Sequence, residues 1–225
     1  MGVVADAWTW LVTGSNWSGP DGAAHRLAEH LWVSGLALLV ACALALPLGL
    51  RLGHLGRGGA LAINISNVGR AVPVFAVLAL FMLTPLRNSG YVPTVIALVL
   101  FAVPPLLTNT YVGMTGVDRA VVEAARGMGM SGAQVFLRVE LPLAHPMIMS
   151  GLRSAAVQVV ATASIAAMAG LGGLGRVITA GFNRYDTAQV FAGAVLVALL
   201  ALVVEGVLLA LDRLLSPLRR RGRRA

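Results

Sequence analysis

Apolar residues in this chain arrive in runs of about twenty, and no water-soluble fold can absorb them in that form. The runs cover residues 30–50, 60–83, 92–113, 145–169 and 187–211. A helix crossing about 30 Å of hydrocarbon needs roughly 20 residues, so each run is long enough to span. Each must be helical, because an open strand would leave backbone groups unsatisfied in lipid. The expected fold is an all-α polytopic membrane protein with about five transmembrane helices, and a hydrophobic fraction of 58% agrees with it. The 60–83 run is the weakest, since Arg70 interrupts it. Pro47, Pro73, Pro93, Pro104 and Pro105 are expected to kink or end helices locally.

All 17 basic residues are arginine, and the formal net charge is +8. In a soluble chain that balance would point to nucleic acid. Here the arginines lie in short loops between apolar runs, so topology explains them and no nucleic-acid partner is expected. Arg51, Arg57, Arg119, Arg126, Arg138, Arg213, Arg219, Arg220, Arg221, Arg223 and Arg224 fall on one side. Arg26, Arg87, Arg176 and Arg184 fall on the other, with Arg70 and Arg153 at membrane depth. Eleven against four puts the first side in the cytoplasm, the N-terminus outside and the C-terminus inside. Trp8, Trp10, Trp17 and Trp32 crowd the beginning of the first span as an interfacial belt. Trp8 to Val12 reads equally as a short amphipathic turn or as part of a disordered tail. No basic n-region or cleavage site suggests a removable signal peptide. The organisation expected is an extracytoplasmic segment 1–28, a membrane domain 29–216 and a basic tail 217–225 that attracts anionic lipid.

The longest polar interruption is 118–142, DRAVVEAARGMGMSGAQVFLRVELP. Asp118 can cap a helix carrying Val121, Val122, Ala125 and Met128 on one apolar side. Gly127, Gly129 and Gly132 permit a reversal, Ala133 to Leu141 a second short helix, and Pro142 closes the unit. Glu123-Ala124-Ala125, Gly129 and Val139-x-Leu141-Pro142 resemble the EAA loop of permease subunits in bacterial ABC importers, matching seven positions in about twenty residues. The likeness runs from about His25 to Ser216. Asn109-Thr110-Tyr111, Arg126-Gly127-Met128-Gly129-Met130, Glu140-Leu141-Pro142-Leu143, Gly151-Leu152-Arg153 and Leu171-Gly172-Gly173-Leu174-Gly175 resemble the osmoprotectant branch, which imports glycine betaine, choline and carnitine.

That resemblance implies a MetI-like permease fold in a bacterial plasma membrane, and a transporter subunit that is not itself an enzyme. It implies an ABC ATPase dimer that binds the ATP, an extracytoplasmic substrate-binding protein, and a second permease copy or related chain. Glu123, Ala124, Ala125, Gly129, Val139, Leu141 and Pro142 would couple to the ATPase. Val121, Ala125 and Met128 would lie in its groove, Glu123 would anchor there, and Ala124 and Ala125 would keep the helix thin. Arg70, Pro73, Asn109, Thr110, Thr162, Ser164, Gly172 and Gly173 are the candidates for the translocation path. Where the resembled family commonly has a neutral polar residue before Ala/Thr-x-Pro, this chain has Arg70, two residues before Val72-Pro73. For Asn109, Thr110, Thr162 and Ser164, hydrogen bonding between helices is the stronger reading of each taken singly.

Other chemistry finds little support in the sequence. There is no Gly-x4-Gly-Lys-[Ser/Thr] and no lysine at all, so ATP hydrolysis belongs to another chain. Gly127 to Gly132 satisfies GxGxxG but follows a helix rather than a strand. His25, His30, His54 and His145 are scattered, which argues against a metal site, and Cys42 is alone. Phe75, Phe81, Phe101, Tyr111 and Phe191 are too dispersed to read as an aromatic cage. Gly170 to Asp186 reads as a plain extracellular turn or as irregular backbone beside a water-filled path. Arg153 and Glu205 read as snorkelling side chains or as a pair that fixes helix packing. An importer of another small solute such as methionine is the alternative, and a membrane scaffold or intramembrane enzyme a remoter one.

Overall fold

The computed structural model describes residues 2–59, 64, 68, 73–169 and 172–215. Among them every regular element is helical: α1 (Val3–Val12), α2 (Ala23–His54), α3 (Val74–Met82), α4 (Val92–Thr115), α5 (Arg119–Gly127), α6 (Gly132–Val135), α7 (Leu141–Ala163), α8 (Gly175–Arg184) and α9 (Thr187–Leu215). A π turn, Phe136–Glu140, joins α6 to α7, and a 3-10 stretch, Ser164–Ala169, extends α7. Four stretches are long and apolar enough to cross a membrane: Ala23–His54, Val92–Thr115, Gly132–Ala167 and Thr187–Leu214. Residues 60–63, 65–67 and 69–72 of the expected 60–83 span, Arg70 among them, lie outside the described residues, and α3 is its described end.

Several expectations change. Trp8 to Val12 is neither a single turn nor a tail but the end of α1, whose following loop folds back through a Trp17 Nε1–H bond to the Leu11 carbonyl, 2.7 Å. Of the prolines expected to kink or end helices, Pro47, Pro104 and Pro105 lie inside helices that continue past them, while Pro73 stands at the N-cap of α3 and Pro93 in the first turn of α4. Pro142 does not break the chain either, because one helical path runs from Gly132 to Ala167. The π turn just before it is wider than an α turn, which relieves the clash a proline ring makes with the preceding turn. The glycine-rich segment yields helix α8 instead of a plain turn.

The chain forms two compact units. The first draws on described residues within 1–40, 72–102 and 156–204. Its core sets Val74 and Leu78 of α3 against Ala97 of α4, with Phe81, Phe101 and Ile165 around them. In the same unit α8 lies tightly on α9: a Cβ on Gly193 would stand 2.8 Å from Ile178 Cγ1.

The second unit draws on described residues within 41–71, 103–155 and 205–225. Here α2 turns Ala41, Ala45, Gly49 and Gly53, four residues apart, to one side. A Cβ on Gly49 would stand 2.9 Å from Thr110 Cβ of α4, so only a small residue fits. On α7, a Cβ on Gly151 would stand 2.7 Å from Asn109 Cβ, and one on Gly113 of α4 would stand 2.8 Å from Met147 Cβ. Close approach through small residues is how helices associate where lipid removes the hydrophobic incentive. Half of α4's apolar window is buried against 11% of α9's, so α9 offers Leu199, Leu202, Val203 and Val207 to lipid or to a partner.

Candidate functional site

Helix α5 begins and ends on local chemistry. Asp118 Oδ1 accepts from the Ala120 N–H at 2.9 Å, satisfying one of the amides a helix start leaves free. At the other end the Met130 N–H donates to the Ala125 carbonyl at 3.2 Å and the Gly129 N–H to the Arg126 carbonyl at 2.9 Å. That pair is the Schellman stop, which needs a left-handed residue between helix and exit, and Gly129 supplies φ +84°. Ser131 starts α6 at once with a reciprocal box: its Oγ accepts from the Gln134 N–H, and Gln134 Oε1 accepts from the Ser131 N–H at 2.8 Å. The elbow between the two helices is therefore fixed by backbone geometry over three residues.

Packing then decides which side is presented. Val122, Ala125 and Val135 are buried with Met114, Val117 and Ala144, and Leu50, Met130, Phe136, Val139 and Ile148 close over them. Val121, Glu123, Ala124, Met128 and Leu137 stay exposed, Met128 by 77%. The expected apolar side is thus divided. Ala125, at 3% exposure, holds the elbow together from within and does not lie on the outer face, whereas Val121, Ala124 and Met128 do. Val139, Leu141 and Pro142 are half-buried at its base.

Sequence reasoning missed the residue that ties this base down. Glu140 is buried and bonds His54 Nδ1 at the end of α2, and the His54 ring meets Phe136 edge-on at 5.3 Å between centroids. Val135 and Glu140 are five residues apart, the spacing of a π turn, so both face inward where an α-helix would set Glu140 about 140° around from Val135. Further along the second unit, Arg153 Nε lies 3.7 Å from Glu205 Oε1, the pairing read from the sequence. It extends further than expected: Arg153 Nη1 lies 3.7 Å from Asp212 Oδ2, and Asp212 Oδ1 accepts from His145 Nε2 at 3.1 Å.

Of the path candidates, Asn109 and Thr110 belong to the second unit, and Pro73, Thr162, Ser164, Gly172 and Gly173 to the first. Asn109, Thr162 and Ser164 do not make the hydrogen bonds expected between helices. Asn109 Nδ2 donates to the Pro105 carbonyl at 2.8 Å, Thr162 Oγ1 to Gln158 at 2.6 Å and Ser164 Oγ to Ala161 at 2.7 Å, each within its own chain segment. A carbonyl one turn back is always within reach, so short polar side chains satisfy themselves locally.

Gly172 and Gly173 instead wrap a carboxylate. Glu29 of α2 accepts from the Gly173 N–H at 2.9 Å, the Tyr91 hydroxyl at 3.0 Å and Arg26 Nη1 at 2.7 Å, and Arg26 also pairs with Asp21. Burial and the bond to Glu29 push the Tyr91 phenol above its usual range. Next to it His30 Nδ1 accepts from the Leu174 N–H at 3.3 Å, which leaves the proton on Nε2 for the Val160 carbonyl at 2.9 Å. Three chain segments meet at this junction. Among the described residues no group of His, Cys, Asp and Glu is arranged to hold a metal ion.

Membrane-spanning helices bearing a two-helix elbow with the complete EAA pattern define the permease subunit of an ABC importer. The chain belongs to the binding-protein-dependent transport system inner membrane component family, which matches it over residues 45–217. It is 36% identical over 193 residues to the glycine betaine/carnitine/choline transport system permease protein OpuCB of Bacillus subtilis, covering 86% of this chain and 88% of that one. It is 38% identical over 193 residues to the choline transport system permease protein OpuBB of the same organism, with the same coverage of 86% and 88%. The carnitine transport permease protein OpuCB of Listeria monocytogenes is 39% identical over 189 residues, covering 84% and 86%. The fold is similar to that of a chain in the inward facing MetNI methionine ABC transporter, with TM-score 0.70 at 20% identity over 85% of this chain and 94% of that one. The protein is therefore a multi-pass permease of the bacterial plasma membrane rather than an enzyme. Its family implies an ATPase and a substrate-binding protein as partners.

Proposed function

We propose that this permease carries quaternary-ammonium osmoprotectants of the glycine betaine, choline and carnitine class, driven by a separate ATPase dimer that docks on the α5–α6 elbow. The observation that carries the coupling role is the elbow's construction: its angle is locked by the Gly129 stop and the Ser131 box, while Val121, Glu123, Ala124, Met128 and Leu137 are left outside. A rigid shape with an apolar face and one carboxylate suits a groove on a partner. Closure of the ATPase dimer would then move the elbow as a body, and α6 passes that motion through the π turn into α7 without a break. The Glu140–His54 bond would pass it to α2. The arginine distribution supports a cytoplasmic elbow, an outside N-terminus and an inside C-terminus. ATP would be bound only by the partner. The path would form with a second copy or a related permease chain, and Arg70, Pro73, Asn109, Thr110, Thr162, Ser164, Gly172 and Gly173 remain its candidate contacts. The substrate class rests on the relatives named above.

The test is Met128→Arg and Glu123→Lys in the reconstituted complex with its binding protein, measuring ATP-driven uptake. Uptake should fall by at least about tenfold, since a charge placed in a desolvated contact costs more than about 1.4 kcal/mol. Undiminished uptake in both variants would sink the coupling role. Stimulation of ATP hydrolysis by glycine betaine and choline but not by methionine is expected, and the reverse order would reassign the substrate.

A further inference from the structure

The rings weighed in the sequence are dispersed, but folding brings three aromatic side chains to the wall of one cavity. Around the end of α8, Phe182 and Tyr185 join Phe191 of α9, and Asp186 lies between the two helices. Together with Val3, Val190 and neighbouring small residues they line a cavity of about 410 Å³ whose walls are almost wholly apolar. All three rings are exposed, Tyr185 by 95%. None of them stacks on another aromatic ring among the described residues, so their faces are not consumed by one another.

Two features separate this place from an ordinary greasy surface. Tyr185 is the only non-glycine residue with positive φ among the described residues, at 55°, a conformation that is unfavourable for a residue bearing a side chain. The cost is borne at a position where the side chain touches almost nothing of its own protein. Strain kept without a packing return points to use of the ring itself. The second feature is Asp186, whose Oδ1 accepts from the Gln189 N–H at 3.0 Å while its other oxygen has no partner among the described residues. Aromatic faces with a nearby carboxylate are the chemistry that holds a quaternary ammonium. The opposite side of α8 offers the contrary: Arg176 and Arg184 line a separate cavity of about 290 Å³ and would repel a cation.

We propose that Phe182, Tyr185, Phe191 and Asp186 form a low-affinity site for the trimethylammonium head of the transported solute. It rests on the osmoprotectant reading above and adds to it a site within the permease itself, at the end of α8 that the arginine bias places outside. The site takes the onium group shared by choline, glycine betaine and carnitine and leaves the rest of the solute unspecified.

The experiment uses the permease–ATPase complex in nanodiscs without its binding protein and measures saturable binding of choline, of glycine betaine and of 3,3-dimethylbutanol, the uncharged carbon isostere of choline. Choline and glycine betaine should bind, and the isostere at least about fivefold more weakly, because it fills the cavity without the charge that the rings and Asp186 attract. Tyr185→Ala and Phe182→Ala should each weaken choline about three- to tenfold, while Tyr185→Phe retains it. Asp186→Asn keeps the helix cap and should weaken choline by a similar factor. Arg87→Gln, in the 3-10 turn Pro85–Asn88 and not among the residues that line the cavity, serves as the unaffected control. Equal binding of choline and the isostere would make the cavity a hydrophobic patch and overturn the proposal. So would aromatic variants that lose capture of the binding protein while choline fails to bind the wild-type complex, since the face would then be a docking surface. ATP-driven uptake through the loaded binding protein separates the two levels: if wild type takes up onium solutes yet binds none directly, only this inference fails, and if it takes up none, the substrate reading fails as well.

Discussion

Helices α5 and α8 are nearly equal in length and stop in the same way, yet they solve their ends with different residues. In each, the exit residue is left-handed and two amides turn back: Met130 to Ala125 and Gly129 to Arg126 in α5, Asp186 to Gly181 and Tyr185 to Phe182 in α8. The left-handed position is glycine in α5 and tyrosine in α8. At their starts they differ as well. Asp118 caps α5 with its side chain, whereas α8 has no side-chain cap and its first residue, Gly175, is lodged against the backbone of the 3-10 stretch. The α5 elbow is thus a shape defined by its own local sequence. Helix α8 is held by what surrounds it, and it tolerates strain at the end where its aromatic residues gather.

The largest effect expected from this contrast is at Gly175. A Cβ there would fall inside the contact distance of the Ser164 carbonyl oxygen and stand 2.8 Å from Ala167 Cβ. Neither neighbour is a flexible side-chain tip, so Gly175→Ala must displace backbone and should destabilise by about 3 kcal/mol, the upper part of the range for overpacking. Thermal unfolding of the purified permease measures it. A loss below about 1 kcal/mol would show that α8 slides freely and is not wedged.

The next largest is at the junction that fixes the approach to α8. Glu29→Ala removes the acceptor of the Gly173 N–H, the Tyr91 hydroxyl and Arg26 together, and leaves a largely buried guanidinium with only Asp21. Stranding a charge and a buried amide should cost about 2–3 kcal/mol, partly relieved because Asp21 is exposed and can follow the arginine. Glu29→Gln should cost less, since it still accepts from the amide. If both variants unfold alike, the charge rather than the hydrogen bonding is what the junction needs.

Legibility in the sequence follows the same divide. The elbow could be read where a device constrains a residue type within a few positions, a cap at Asp118 and a left-handed glycine at 129, while the serine–glutamine box from 131 carries an equally local signal and was missed. Which of its apolar residues faced in was not readable, since Val121, Val122 and Ala125 are all apolar and only packing against Met114 and Val135 sorts them. The π turn escaped because one extra residue in a helical turn has no composition signal. The Val135-to-Glu140 spacing hints at it only once Glu140 is known to be buried. The Glu29 junction joins residues 144 positions apart, so no local pattern announces it. The aromatic cavity is a different case: Phe182, Tyr185 and Phe191 lie within ten residues, yet of them only Phe191 is among the rings weighed for a cage. Another missed signal was present: Ala41, Ala45, Gly49 and Gly53 repeat at the spacing of a close helix contact.

The smallest effect is the most discriminating, because it exchanges the two left-handed residues. Gly129→Ala meets no atom within 4 Å of the new Cβ, so its only cost is conformational, about 1 kcal/mol at φ +84°. Gly129→Asn should cost less, as asparagine tolerates this region. Tyr185→Gly reverses the sign: it relieves a left-handed side chain that is 95% exposed and gives up little packing, so it should stabilise by about 0.5–1 kcal/mol after glycine's own entropy is counted. Choline binding by the same variant should fall. A stabilised protein that has lost part of its onium affinity is the signature of strain retained for a purpose. If Tyr185→Gly instead destabilises, the ring is packed by something not in this chain, and the tyrosine belongs to an interface rather than to a solute.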